Sequence, residues 1–190
     1  MARPTSEEKR TAILAAATRL VATQGTGVST AKIARAAGVA EGTVFVYFET
    51  KAILMEALLL ALEGELAKAF AFDALPGDGG REDLHHIWSR LIDWGVSHPE
   101  CWRAMKRLKV SELVSERCLR EGEALFVEAA SVLDTTIARH GRRDMPQRFV
   151  GLMLNATAEV TYECIAGTPD EAEHYKALGF EMIWNGITGG

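Results

Sequence analysis

Apolar residues recur every three or four positions along most of the chain, the period that places them on one face of an α-helix. The first such segment covers residues 6–24, and Gly25 ends it. No segment shows the sustained alternation of a strand. The later predicted helices, beyond residue 50, cover 51–71, 82–97, 99–108, 110–140, 146–166 and 169–186. The chain is therefore predicted to be all-α, with about nine helices in total.

Residues 29–51 predict two short helices joined by a tight turn. Ser29 or Thr30 can cap the first helix by accepting hydrogen bonds from its free N–H groups. Gly38 ends that helix, because glycine readily takes the left-handed conformation of a turn. The second helix covers about 40–47, and its exposed side offers Glu41, Gly42, Thr43 and Tyr47. This is the plan of a helix-turn-helix, whose second helix enters the major groove of DNA.

Charge is divided unevenly along the 190 residues. The formal net charge is −5, yet residues 1–51 carry +3 and the remainder carries −8. A basic N-terminal module on an acidic body suits a protein that touches phosphates at one end only.

Three cysteines, Cys101, Cys118 and Cys164, stand far apart. Their odd number and wide spacing argue against a disulfide framework or a zinc site. The N-terminus lacks the apolar run of a signal peptide, and the longest apolar stretch is too short to span a bilayer. We therefore expect a cytoplasmic protein with reduced thiols that does not enter membranes.

Catalytic patterns are not found in the sequence. It contains neither a glycine-rich phosphate loop nor a nucleophile elbow. His85, His86 and His98 lack the i, i+4 spacing of a helical ligand pair and are interpreted as surface histidines. The chain is not expected to be an enzyme, and no cofactor or metal is predicted.

The first 60 or so residues resemble the TetR family of transcriptional regulators. The resemblance lies in ILAAATRLVATQG, VSTAKIARAAGV, EGTVFVYF and TKAILMEAL, in the order and spacing of the family. It implies a three-helix DNA-binding domain in residues 1–50 and a helical ligand-binding and dimerisation domain in residues 51–190. The segment 72–83, rich in Pro, Gly and Asp, is predicted to be a linker.

The resemblance also implies roles for single residues. Four positions correspond to phosphate contacts, namely Thr30, Thr43, Tyr47 and Lys51. Three correspond to positions that face base edges, namely Glu41, Gly42 and Phe45. A carboxylate can accept from a cytosine amino group, and an aromatic ring can lie against a thymine methyl. The family often has tyrosine at the position of Phe45, whose ring lacks the hydroxyl.

Other interpretations of these residues stay open. Glu41 is either a base-reading residue or a solvated charge that favours the positive end of its helix. Phe45 either faces the DNA or packs in the core, whereas Val44 and Phe48, four residues apart, are expected to pack inward.

The body of a TetR-like protein binds a small molecule and dimerises, so its aromatic and methionine side chains are candidates for an apolar pocket. The predicted ligand-binding residues are Trp88, Trp102, Met105, Phe126, Met153 and Thr157. The alternative is that such side chains simply fill a helical core. The dimer interface implied by the resemblance uses the last two predicted helices, 146–166 and 169–186, as a self-complementary patch.

These features lead to one main hypothesis and one alternative. The main hypothesis is a homodimeric regulator, most simply a repressor, that binds a palindromic operator in double-stranded DNA. A small apolar or amphipathic inducer would release it, and by linkage inducer and operator would weaken each other. The alternative is a helical small-molecule or protein-binding module whose DNA-binding domain is vestigial.

Overall fold

The structure is a computed structural model that describes residues 6–70, 79–142 and 145–189. Most of the predicted linker, 72–83, lies outside the described residues. The helices are α1 (Ser6–Gln24), α2 (Thr30–Ala36), α3 (Glu41–Tyr47), α4 (Lys51–Ala69), α5 (Arg81–Ser97), α6 (Pro99–Lys109), α7 (Glu116–Ala124), α8 (Val127–His140), α9 (Gln147–Gly167) and α10 (Ala172–Thr188). A 3₁₀ turn, Pro169–Glu171, precedes α10.

The all-α prediction is confirmed, since the described residues form ten α-helices and no strand. The number exceeds the prediction because residues 110–140 form α7 and α8 rather than one helix. Ser115 caps α7 by accepting a hydrogen bond from the Cys118 N–H at 3.2 Å. A tight turn ends α7, with the Leu125 N–H bonded to the Gly122 carbonyl at 3.0 Å. Apolar periodicity runs through this break, so the sequence pattern alone does not reveal it.

Helical contacts divide the described chain into two compact units. The first contains the residues up to Glu65 together with His98–Leu125, and the second contains Leu66–Ser97 and the residues from Phe126 onward. The break between α7 and α8 falls at this boundary. The first unit is therefore larger than the predicted DNA-binding domain, since it adds most of α4 and all of α6 and α7. The functional boundary at residue 50 stays a prediction.

The first unit has a core of small and branched side chains. Its wholly buried residues from the first three helices are Ile13, Ala16, Ala17, Val21, Ile33 and Val44. α6 packs on α1, and the Arg107 Nη1 donates to the Val21 carbonyl at 3.0 Å near the C-terminal end of α1. A cation at that end also interacts favourably with the helix dipole. This contact fixes α1, on which the short α2 packs.

Polar contacts hold the start of α7 against α4. Glu56 Oε1 accepts from the Ser115 backbone N–H at 3.0 Å and from the Ser115 hydroxyl at 2.5 Å. The Ser115 hydroxyl and N–H bonds lower the pKa of Glu56, because they stabilise its charged form. Next to it, burial and nearby carboxylates raise the pKa of Cys118 to about 11, so this thiol stays protonated at neutral pH.

Glu56→Gln is expected to lower the free energy of unfolding by about 1 kcal/mol at neutral pH, since charged acceptors make stronger hydrogen bonds than amides. The lowered pKa of Glu56 determines how its contribution to the free energy of unfolding changes with pH. The stabilisation is present above the ordinary value of 4.5 and is lost as the pH falls through the lowered value of the folded state. Urea unfolding at about pH 7 and about pH 3 measures the difference in the free energy of unfolding between wild type and variant. This difference should be smaller at the lower pH. A difference of equal size at both pH values would contradict this role.

The second unit packs α5, α8, α9 and α10 together. Trp88 of α5 is wholly buried at its centre, and its Nε1 donates to the Lys176 carbonyl of α10 at 2.8 Å. Gly179 of α10 lies so close that an added Cβ would stand 2.5 Å from Trp88 Cζ2. No helix in the described part of the chain is both long and apolar enough to cross a bilayer.

Candidate nucleic-acid interface

Local hydrogen bonds shape the turn between α2 and α3. Ser29, rather than Thr30, is the N-cap of α2, and its hydroxyl accepts from a backbone N–H of the first turn at 3.3 Å. Gly38 has a φ of +69°, as the sequence predicts, and the Val39 N–H bonds to the Ala34 carbonyl at 3.0 Å. The left-handed glycine reverses the chain directly into α3, which begins at Glu41.

α3 has one buried face and one exposed face. Val44 is 1% exposed and Phe48, its C-cap residue, is 2% exposed, which confirms their predicted inward packing. On the opposite side Phe45 is 44% exposed and Val46 is 80% exposed. Gly42 lies on the same side, and a Cβ added there would meet no atom within 4 Å. The core interpretation of Phe45 is therefore disfavoured, and this face is open to a partner.

Val46 belongs to this face and was missed by the sequence reasoning. Gly42, Phe45 and Val46 stand at i, i+3 and i+4, which places them together on a helix. Val46 could have been found from the sequence, because helical periodicity also predicts which residues share the exposed side of α3. An exposed valine next to a phenylalanine gives α3 two apolar side chains that can contact thymine methyl groups.

Thr30 and Glu41 contact each other across the turn. The Thr30 hydroxyl donates to Glu41 Oε1 at 2.8 Å, and this bond joins the first residue of α2 to the first residue of α3. The resemblance assigns these residues separate DNA contacts, with Thr30 at a phosphate and Glu41 at a base edge. In the structure one hydrogen bond holds both groups, so a phosphate or base that uses either must compete with it.

Of the other predicted phosphate-contacting residues, Thr43 and Tyr47 lie in α3 and Lys51 is the first residue of α4. The Tyr47 hydroxyl, at the end of α3, accepts from the Ser6 hydroxyl at 3.2 Å. Lys51 is half-buried at the start of α4. Thr43 lines a groove of about 310 Å³ that Lys9 of α1 also lines. Lys9 is thus a further cation beside the predicted interface that the sequence reasoning did not single out.

The six predicted ligand-binding residues are divided between the two units. Trp102 and Met105 are buried in the first unit. The other four lie in the second unit, where Trp88 is wholly buried and Met153 is exposed. The ring of Phe126 packs edge-on against Phe70, with centroids 5.8 Å apart. The Thr157 hydroxyl donates to the Met153 carbonyl at 2.8 Å, within its own helix.

A polar groove of about 840 Å³ runs between α5 and α10 in the second unit. None of the six predicted residues lines it. Its walls carry both signs of charge, and Arg81 pairs with Glu181 while Lys176 pairs with Asp93, a groove residue, at 2.6 Å. His85 packs edge-on against the ring of Phe180 with centroids 4.7 Å apart.

α9 and α10 carry an exposed apolar stripe on the surface of the second unit. Its members are large and exposed, namely Phe149, Leu152, Met153, Val160, Leu178 and Met182. Ile165 and Ile183, on the same two helices, are buried in the protomer. Exposed apolar patches of this kind typically mark interaction surfaces.

Comparison with known proteins connects this arrangement to one group. The family model described as "Bacterial regulatory proteins, tetR family" matches residues 13–58, which contain α2, the turn and α3. A putative tetR family transcription regulator from Shewanella sp. PV-4 has a similar structure, with a TM-score of 0.85 and 26% sequence identity. That similarity covers 94% of this chain and 97% of the other.

Two further solved structures share the fold at lower identity. A TetR family transcription regulator from Marinobacter aquaeolei VT8 has a TM-score of 0.80 and 24% identity, over 95% of this chain and 96% of the other. The transcriptional regulator FadR from Bacillus subtilis, solved in complex with stearoyl-CoA, has a TM-score of 0.71 and 16% identity. The latter covers 93% of this chain and 98% of that chain.

Proposed function

We propose that the protein is a ligand-responsive, dimeric repressor, because residues 13–58 match the tetR family of bacterial regulatory proteins and the chain has the fold of TetR-family transcription regulators. It binds a palindromic operator in double-stranded DNA through α3. A small molecule bound by the body releases it. We place it in the cytoplasm and assign it no catalytic role.

The exposed face of α3 carries the DNA-binding proposal. Gly42, Phe45 and Val46 point away from the core, whereas Val44 and Phe48 anchor the helix from the other side. Glu41, Gly42 and Phe45 are assigned to base edges. Val46 is added to this set because its side chain is exposed on the same face. Phosphate contacts are assigned to Thr30, Thr43, Tyr47 and Lys51, which position the protein without reading sequence.

The apolar stripe on α9 and α10 supports the dimer. A two-fold interface uses the same patch on both subunits, and Leu152, Val160, Leu178 and Met182 offer exposed apolar area for it. Met153 lies on the same stripe, so its exposure fits a subunit contact better than a ligand pocket. Two reading helices must then stand about 34 Å apart, or a multiple, to occupy successive half-sites.

The proposed inducer is a small apolar or amphipathic molecule. Its support is the aromatic and methionine content of the body, in which Trp88, Trp102 and Met105 are buried. Stearoyl-CoA is the ligand in the FadR complex, and an amphipathic ligand of that kind is one candidate for this chain. An inducer that favours a dimer geometry with mismatched half-sites must, by linkage, bind more weakly to the DNA-bound protein.

The experiment that tests the proposal begins with selection of binding sites from a random duplex library. The selected duplexes should share a palindrome, and affinity for them should fall steeply as salt rises, because counterions are released from each contacted phosphate. Titration with a long-chain acyl-CoA then tests release. The alternative, a module with a vestigial DNA-binding domain, is favoured if no duplex binds even at low salt. Equal DNA affinity with and without bound ligand contradicts the inducer step.

A pair of substitutions separates positioning from reading. Lys51→Ala should weaken binding to all duplexes alike and reduce the salt slope by about one phosphate, whereas Phe45→Ala should cost about 1–3 kcal/mol and relax the preference at one base position. Binding to the selected and to a scrambled duplex over a salt series measures both. Identical behaviour of the two variants would show that the contacts are wrongly divided.

A further inference from the structure

Two positively charged side chains, from α2 and α6, meet at the last turn of α1 in the first unit. The Lys32 Nζ of α2 donates to the Gln24 side-chain oxygen at 3.1 Å. The Arg107 Nη1 of α6 donates to the Val21 carbonyl at 3.0 Å. Both cations are exposed. Each has further N–H donors beyond the one in use, so both can also bind a phosphate.

α6 carries more positive than negative charge. Its carboxylate, Glu100, lies in the first turn, whereas its last turn is basic. Arg103 and Arg107 are exposed and stand four residues apart, which places them on one face of the helix, about 6 Å apart along its axis. Lys109, by contrast, is held in an ion pair with Glu63 at 2.8 Å. Like charges at the spacing of the two arginines repel and destabilise a helix, so this exposed pair suits a negatively charged partner.

The loop between α1 and α2 connects the end of α6 to the predicted DNA-binding surface. The Ser111 hydroxyl, just after α6, donates to the Thr26 hydroxyl of this loop at 3.1 Å. Thr26 precedes Thr30 by four residues, so their Cα atoms are at most about 14 Å apart. The Thr30 hydroxyl in turn donates to Glu41 at the start of α3 at 2.8 Å. Since one DNA strand rises about 3.4 Å per nucleotide, 14 Å corresponds to about four nucleotides from a phosphate at Thr30.

The two cations lie at the end of α1 opposite to Tyr47. Ser6, the first residue of α1, donates through its hydroxyl to the Tyr47 hydroxyl at the end of α3. α1 has 19 residues and is therefore about 28 Å long. That length corresponds to about eight nucleotides of one DNA strand. Lys32 and Arg107 therefore extend the predicted interface and do not repeat the Tyr47 contact.

We propose that Lys32, Arg103 and Arg107, with the hydroxyls of Thr26 and Ser111, form a second phosphate-binding edge, which contacts the DNA backbone beside the half-site that α3 reads. All five residues lie in the same compact unit as α3. Cations and hydroxyls bind phosphate oxygens without reading sequence, so the edge adds affinity and no base preference. This inference rests on the proposed DNA-binding function.

The first test measures binding of the full chain to the selected duplex, extended by about ten base pairs, one helical turn, on each side. Arg103→Ala should lower affinity about five- to tenfold at about 0.1 M salt and reduce the salt slope by about one, because one phosphate contact is lost. The loss should be equal on a scrambled duplex. Arg103→Lys keeps the charge and should bind like wild type. Arg139→Ala is the matched control, since it removes an exposed arginine of α8 in the second unit and should change neither quantity.

The second test maps the contacted phosphates by ethylation interference. Arg103→Ala should lose interference at a phosphate other than the one lost in Tyr47→Phe, because the two contacts lie towards opposite ends of α1. Arg107→Gln should lose interference on the same side as Arg103→Ala. It removes the charge and keeps an N–H donor for the Val21 carbonyl, and circular dichroism checks that it folds.

An unchanged salt slope and an unchanged interference pattern in Arg103→Ala overturn the proposed edge and leave an acidic protein as the partner of this surface. An equal loss of affinity in Arg139→Ala also overturns it, because net charge alone then explains the effect. Failure of wild type to bind any duplex at low salt overturns the proposed function itself. The two failures are distinguishable, since the edge alone is lost when wild type binds and Arg103→Ala binds equally well.

Discussion

Replacing Trp88 with alanine is expected to lower the free energy of unfolding by about 3–5 kcal/mol, the range for large aromatic side chains in a core. Trp88 is wholly buried, its Nε1 bonds to the Lys176 carbonyl, and Gly179 packs against its ring. The alanine variant loses the apolar contacts and leaves the carbonyl of α10 without its donor. Urea unfolding followed by circular dichroism measures the change.

Trp88→Phe is the matched control, because it keeps an aromatic ring and removes the Nε1 donor. It should destabilise the protein by less than the alanine variant. A loss below about 1 kcal/mol for Trp88→Ala would contradict the core role. A stable alanine variant with weaker ligand binding would instead favour the sequence prediction that Trp88 belongs to a pocket.

Gly42→Ala is expected to raise stability and to impair DNA binding at the same time. The added methyl group meets no atom of the protein within 4 Å. Alanine favours α3 over glycine by up to about 1 kcal/mol. At the base-facing position proposed for Gly42, the same methyl group should hinder close approach to the major groove of DNA and cost about 1–3 kcal/mol of binding free energy. Thermal unfolding and titration of the selected duplex measure the two effects separately.

Gly64→Ala on α4 is the matched control for Gly42→Ala, since a methyl group added there also meets no atom within 4 Å. It should stabilise the fold in a similar way and leave DNA affinity unchanged. Unimpaired DNA binding by Gly42→Ala would remove Gly42 from the interface and with it the orientation proposed for α3.

Helix ends show where sequence reasoning succeeds. α1 ends at Gln24, where the predicted helix also ends. Gly25 and Gly38, predicted to end their helices, have φ values of +82° and +69°. A helix ends through the conformation of one residue and the hydrogen bonds of its near neighbours, and these are local in sequence. The break between α7 and α8 was not predicted, because the apolar period continues through it and no side-chain cap hydrogen bond marks the start of α8 at Phe126.

In the candidate site, too, some features follow from the sequence and others need the tertiary structure. The inward side of α3 follows from the spacing of Val44 and Phe48 alone. The hydrogen bond between Thr30 and Glu41 does not, since it needs the turn to bring two helix starts together. In the body, aromatic and methionine residues have the same apolar character, yet Trp88 is buried and Met153 exposed. Composition cannot distinguish them, because burial depends on which helix covers each face.

The sequence by itself determined the all-α class, the helix-turn-helix with its glycine turn, and the resemblance carried by residues 13–58. These depend on periodicity, capping and spacing within short segments. Only the tertiary structure decided that α6 and α7 pack in one unit with α1–α3, and that Glu63 lies against Gly122. Such contacts join residues that are dozens of positions apart in the sequence, and they form only when the helices pack against one another.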